Sequence, residues 1–284
     1  MSQNLWLNRR TFIRNAGMTA LVGAASSGSS LASPMTNLPS GQTGSTTYDF
    51  DTVYDRTGTN SVKWDSAIAR YGRENIDVGM GIADMDFQAP PCITQALADR
   101  CKHENWGYMS TPRSFYQQIA DWNKKRYGLE VDPESITLSD GVHPALIAAL
   151  KAVSPPGSKV LLTTAVYSGF YMDLRQSRTL EENSPMIVEN GRYRIDFDDF
   201  ESRMSHDTDA LILCNPQNPT GNCWSEEDLL RLGRMCLEHR VVVLSDEIHC
   251  DFVMKGQKYT PFASLPDKEV VDNSITFKAA SKSF

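Results

Sequence analysis

The sequence has no apolar run approaching the roughly 18 residues that a membrane-spanning helix requires, and nothing in it reads as a stable membrane anchor. Its six cysteines, Cys92, Cys101, Cys214, Cys223, Cys236 and Cys250, are scattered and form no CxxC pair. That excludes both a thiolate metal site of the usual spacing and the disulfide framework of a small secreted domain. There is no internal repeat. Positive charge is in deficit, with 28 Lys and Arg against 35 Asp and Glu and a net charge of -7. This argues against nucleic acid or an anionic membrane surface as the main partner. What is present is enough material for a core: 284 residues, 40% of them apolar, allow one large or two ordinary domains.

The first residues read as an address rather than as structure. Adjacent Arg9 and Arg10 precede the bulky Phe12 and Ile13, a Gly- and Ala-rich stretch follows over 16–25, and Ser30-Leu31-Ala32 has the small-x-small pattern of a cleavage site. The order resembles a twin-arginine export signal over residues 1–32, which implies a periplasmic enzyme that folds before export. A basic tail on a cytoplasmic protein is the alternative. Residues 33–47, rich in Ser, Gly and Thr, read as a flexible leader.

Beyond residue 136 the chain alternates short apolar segments with helical patterns. Strands are expected at 136–139, 159–163, 210–214 and 241–245, and helices at 144–153, 169–176 and 225–239. Ser225 followed by Glu226, Glu227 and Asp228 is a strong helix start. Further helices are expected at 93–102 and 114–126. The alternation predicts an α/β domain with a mainly parallel sheet over 91–284, and residues 48–90 are assigned to a second, smaller domain. In such sheets ligands bind beyond the carboxyl ends of the strands, where Asp140, Gly141, Tyr167, Asn215, Asn218 and Asp246 fall.

Two residues there carry the chemistry. Lys282 follows a β-rich run, and Asp246 ends an earlier apolar strand. An enzyme holding pyridoxal 5'-phosphate (PLP) needs this pair: a lysine for the Schiff base and an acid to keep the pyridine nitrogen protonated. Gly141 and Val142 open a helix whose backbone N–H groups suit a phosphate.

Five stretches, read in order, carry a resemblance. They are Asp55-Arg56-x-Gly58-Thr59-x-Ser61-x-Lys63-Trp64-Asp65, Ala83-Asp84-Met85-Asp86-Phe87, Asn215-Pro216-x-Asn218-Pro219-Thr220-Gly221-x-x-Trp224, Ser245-Asp246-Glu247-Ile248-His249-x-Asp251, and Ser281-Lys282-x-Phe284. From residue 48 to its last residue the sequence resembles the fold-type I PLP enzymes, and among them the MalY/PatB-type C–S β-lyases. The resemblance implies an aspartate aminotransferase-like large domain with part of a smaller one, PLP as cofactor and Lys282 as the catalytic amine. It assigns Asp246 to the pyridine nitrogen, Asn218 to the cofactor's phenolic oxygen, Tyr167 to stacking on the ring, and Ser281 to a hydroxyl contact. Tyr108 matches a tyrosine that reaches the phosphate of a neighbouring subunit, which implies a homodimer; packing is its other reading. His249 is read either as a contact of cofactor or substrate or as a packing residue. His143 departs from the pattern, standing where a small apolar residue is usual.

The expected reaction is cleavage of an S-substituted cysteine such as cystathionine to thiol, pyruvate and ammonia. An aminotransferase and an inactive or regulatory PLP-binding fragment are the alternatives. The family's arginine for the substrate carboxylate lies downstream of the lysine, so the sequence is expected to be cut short.

Overall fold

The computed structural model describes residues 49–284; the expected export signal and leader lie outside the described residues. Residues Phe50–Phe284 form one contact unit. Its centre is a five-stranded sheet of β1 (Lys159–Thr164), β2 (Leu180–Pro185), β5 (Thr208–Cys214), β6 (Val242–Asp246) and β7 (Ser274–Phe277), in the order β2-β1-β5-β6-β7. All four pairings are parallel. A short antiparallel hairpin, β3 (Ile187–Glu189) with β4 (Arg192–Arg194), stands apart from that sheet.

The period-two alternation of a strand explains the two cores. Leu161, Leu211, Leu213 and Val243 face one side and pack with Phe200, Leu229, Leu232, Cys236, Phe262 and Val270. Their neighbours Val160, Leu162, Ala210, Ile212, Val242 and Leu244 face the other side and meet Val142, Leu146, Leu150, Phe170 and Leu174. With both faces covered, the central strands are apolar almost throughout. Eight α-helices lie among the described residues. α1 (Ala67–Tyr71), α2 (Pro91–Cys101) and α3 (Arg113–Tyr127) precede the sheet. α4 (Val142–Val153) and α5 (Gly169–Ser177) cover one face, and α6 (Phe197–Ser202), α7 (Glu226–Glu238) and α8 (Lys268–Asp272) the other.

Most of the expected elements are present with shifts of a residue or two. Ser225 caps α7, its Oγ accepting from the Asp228 backbone N–H at 3.0 Å. α7 lies close to α8: a Cβ at Gly233 would come within 2.3 Å of Val270 Cγ1. The strand expected at 136–139 is absent. Those residues run as an irregular lead into α4 and are half-buried to exposed. No described strand pairs with them, and an apolar pair without a ladder partner does not make a strand.

Residues 49–90 are held by charge rather than by a sheet. Arg56 donates to Asp84 and to Asp86, each at 2.8 Å, and Lys63 lies 2.8 Å from Asp86 and 3.4 Å from Asp84. Trp64 Nε1 donates to Asp86 at 3.0 Å. Asp65 accepts the backbone N–H groups of Gly58 and Ser61. The first two of the five motif stretches are thus the two halves of one cross-link. The Lys63 side chain is almost wholly buried. Burial works against the Asp86 charge, but Lys63, Trp64 and Arg56 outweigh it and bring its carboxyl down to about 2.

Candidate active site

Strand order reverses between β1 and β5, because β1 pairs with β2 on one side and with β5 on the other. Parallel sheets open a crevice at such a point, beyond the carboxyl ends of the strands. Gln217 bridges this crevice: its amide donates to the carbonyls of Thr163 at 3.3 Å and Ala165 at 2.8 Å. The loop after β5 is therefore tied to the end of β1.

Asp246 is the last residue of β6 and is 4% exposed. Its carboxylate accepts one backbone N–H, from Ile248 at 3.1 Å, and no described side chain pairs with it as a cation. Burial pushes it up to about 6, partly offset by Ile248 and by His143, while Glu247 and Asp173 push the same way as burial. Asn215 donates its backbone N–H to the Asp246 carbonyl at 2.9 Å, locking the ends of β5 and β6 together.

Lys282 ends a single 3-10 turn, Ala280–Lys282, that follows β7. β7 pairs with β6 so that Phe277 stands opposite Asp246. The lysine is half-buried, and no described carboxylate neutralises it. Burial, and then the charge of Lys282, hold the His249 imidazole below its ordinary value. His249 thus senses the charge of Lys282 from the loop that follows Asp246.

The segment carrying Lys282 is fixed from both ends. Upstream, Lys278 Nζ donates to Asn123 Oδ1 of α3 at 2.8 Å and lies 3.5 Å from the fully buried Glu247. Downstream, Ser283 Oγ donates to Asp251 at 2.8 Å, and Phe284 packs edge-on against Trp122 at 5.8 Å. Glu247 itself accepts from the Tyr259 hydroxyl, from Ser245 Oγ at 3.0 Å and from the Phe262 backbone N–H at 2.8 Å. The sequence motifs include Glu247 without assigning it a role, and Lys278 lies outside them. The available signal was an acid next to Asp246 and a cation four residues before Lys282.

Gly141 caps α4 at φ +131°, a conformation that favours glycine, and Val142 behind it is buried. The first N–H groups of α4 lack intrahelical partners, as at any helix start. Tyr167 lies in the loop after β1, 38% exposed, with its ring edge-on to Phe170 at 5.6 Å. His143, one residue into α4 after Val142, stacks obliquely on it at 5.6 Å. Asn218 is half-buried after β5; its backbone N–H meets Cys214 Sγ at 3.4 Å, and its side-chain amide has no partner among the described residues. Ser281 is exposed. Tyr108 is fully exposed, and no described contact joins it to the other site residues.

The geometry is a set of strand ends that brings a buried carboxylate, a half-buried amine, an open aromatic ring and a helix start to one rim. Asp246 is fit to hold a protonated ring nitrogen: it is buried, under-bonded and without a cation partner among the described residues. The aminotransferase class I and II family model matches residues 75–284. Cystathionine beta-lyase PatB of Bacillus subtilis (strain 168) is 44% identical over 237 residues, covering 83% of this chain and 61% of that protein. Protein MalY of Escherichia coli (strain K12) is 29% identical over 220 residues, or 77% and 56%. The crystal structure of the PLP-bound C–S lyase from Staphylococcus hominis superposes with a TM-score of 0.76 at 34% identity, covering 84% of this chain and 61% of that one. The chain thus spans about three-fifths of the length of the proteins it matches.

Proposed function

Because this chain belongs to the aminotransferase class I and II family, whose members work with PLP, we propose that it carries the cofactor-binding half of a PLP-dependent C–S β-lyase. The observation that carries the reading is the pairing, across adjacent parallel strands, of the buried and cation-free Asp246 with Lys282 just beyond the end of β7.

The cofactor, when bound, supplies an electron sink at the substrate's Cα. The rest is work for this chain's residues. Lys282 holds the cofactor and moves the Cα proton, a task that a half-buried amine can perform once it is deprotonated. Asp246, pushed up to about 6, is still ionised at neutral pH and would hold the positive ring nitrogen. The Asn218 amide, without a partner among the described residues, would donate to the phenolic oxygen, Tyr167 would cover the ring, and the N–H groups at the start of α4 with the Ser281 hydroxyl would receive the phosphate. His249, half-buried three residues after Asp246, would contact the cofactor or its substrate. The net reaction is an S-substituted cysteine such as cystathionine plus water giving a thiol, pyruvate and ammonia.

The 44% identity to a cystathionine beta-lyase supports the lyase. A second reading, amino transfer, draws on the family match itself. Incubation with cystathionine separates them. Release of pyruvate and thiol in equal amounts is expected; amino transfer that depends on an added 2-oxo acid, without thiol, refutes the lyase.

We also propose a homodimer, in which exposed Tyr108 reaches a partner's phosphate, and periplasmic export through Arg9 and Arg10. Sedimentation tests the first. Replacement of both arginines by lysine, with fractionation of the cells, tests the second: the protein should be retained in the cytoplasm.

A further inference from the structure

His143 makes a hydrogen-bonded chain that the proposed reaction does not use. Its Nδ1 lies 2.8 Å from both oxygens of Asp173, a residue of α5 that is 2% exposed. No other described side chain pairs with the Asp173 carboxylate. An ionised carboxylate only accepts, so Nδ1 carries the proton and the two oxygens fix the plane of the imidazole. The opposite nitrogen, Nε2, then accepts from the Tyr167 hydroxyl in a long bond of 3.4 Å.

The two rings also share a floor. A Cβ on Gly169 would stand 2.4 Å from Tyr167 Cε1 and 2.7 Å from His143 Cε1. Both rings therefore lie directly over bare backbone at the start of α5. Tyr167 is bounded by the Phe170 edge on one side and by His143 at its hydroxyl, and 38% of it stays open. An aromatic side chain on a loop swings about two bonds unless its tip is held. Here the tip is held by a ring that is itself held by a buried charge.

We propose that Asp173 and His143 are a positioning pair that sets the plane of Tyr167 over the bound pyridine ring, an assignment that rests on the PLP reading above. Neither residue needs to touch the cofactor. The competing reading, in which the pair only cross-links α4 to α5, makes different predictions for two small changes. His143→Asn keeps a donor in place of Nδ1 for Asp173 but has nothing to reach Tyr167. Tyr167→Phe removes only the hydroxyl.

The test titrates PLP into the chain and follows its visible circular dichroism, which reports the ring's asymmetric surroundings. Each variant should weaken PLP binding roughly three- to tenfold and alter the dichroic band, the effect of losing one hydrogen bond. The double variant should be no worse than the weaker single one, because both remove the same bond. Full affinity and an unchanged band in His143→Asn, or losses that multiply in the double variant, overturn the positioning role. Without cofactor, nitrogen NMR of His143 should report one fixed tautomer that Asp173→Asn releases; an unchanged tautomer overturns the pair. A wild-type chain that yields no borohydride-stable adduct on Lys282 overturns the PLP reading and the pair's role with it. An adduct that is indifferent to His143 and Tyr167 overturns the pair alone.

Discussion

Lys278 Nζ lies 3.5 Å from Glu247, which is wholly buried, and the same ammonium sits over the ring of Tyr127 at 4.4 Å. Glu247 is next to Asp246, and Lys278 is four residues ahead of Lys282. The pair thus ties the end of β6 to the segment that carries the proposed catalytic amine. Burial pushes the Glu247 carboxyl up, and Lys278 is the leading influence that brings it back. Lys278→Met should destabilise the fold by roughly 3 kcal/mol, since it strands a buried acid. Adding Glu247→Gln should recover part of the loss. Denaturant unfolding of the two variants checks this; a single variant as stable as the parent would show that the pair contributes nothing.

Asp246 gives a pH signature in the cofactor-free protein. Its folded-state value, about 6, lies above the ordinary 3.8, so folding takes up a proton between those values. The contribution is fully present below about pH 4 and is lost as pH rises through about 6, a fall of about 3 kcal/mol. Asp246→Asn should flatten that part of the stability profile. The comparison is unfolding free energy near pH 4 and near pH 7 for both proteins, and parallel profiles would refute the prediction.

Lys282→Ala should abolish the borohydride-stable PLP adduct while leaving the far-ultraviolet spectrum unchanged, because the side chain has no described ion pair to lose. Mass spectrometry of the reduced protein locates the adduct. Its appearance on Lys278 instead would relocate the proposed chemistry by four residues.

Asp86→Ala should loosen the first part of the described chain, since Arg56, Lys63 and Trp64 all lose the same partner. Faster protease cleavage within residues 50–90 is expected, with the sheet domain surviving. Because the Asp86 carboxyl is held down at about 2, acid should act in the same direction. The stabilisation is present above the ordinary 3.8 and fades as pH falls toward 2. Equal cleavage of variant and parent would count against the cross-link.

Gly169→Ala places a methyl group where Tyr167 and His143 already lie. It should weaken PLP binding by tenfold or more through displacement of both rings, a larger effect than either hydroxyl or imidazole deletion alone. Retention of parental affinity would show that the rings move aside freely.

Much of this was legible in the sequence because it is local. Apolar runs of five or six residues announced β1, β5 and β6, and Ser225 with three acids announced the start of α7. Asp246 and Lys282 were marked by the strands before them. Contacts closed over distance were not legible. Asp173 meets His143 across 30 residues, and Lys278 meets Asn123 across 155. Nothing in the spacing of such pairs distinguishes them from solvated charges. The strand expected at 136–139 failed for a related reason: pattern reports what a segment can do, while a ladder requires a partner.

All five strands of the main sheet run the same way, so the residues proposed to meet the cofactor gather at one rim. Among the described residues the opposite rim includes turns at Gly157, at φ +90° with no atom within 4 Å of a would-be side chain, and at Arg240, at φ +63° before β6. Evolution and the protein engineer therefore have two nearly independent edges. Reporter peptides, labels or surface tethers grafted at that far rim would hold the molecule by its back and leave its working face open.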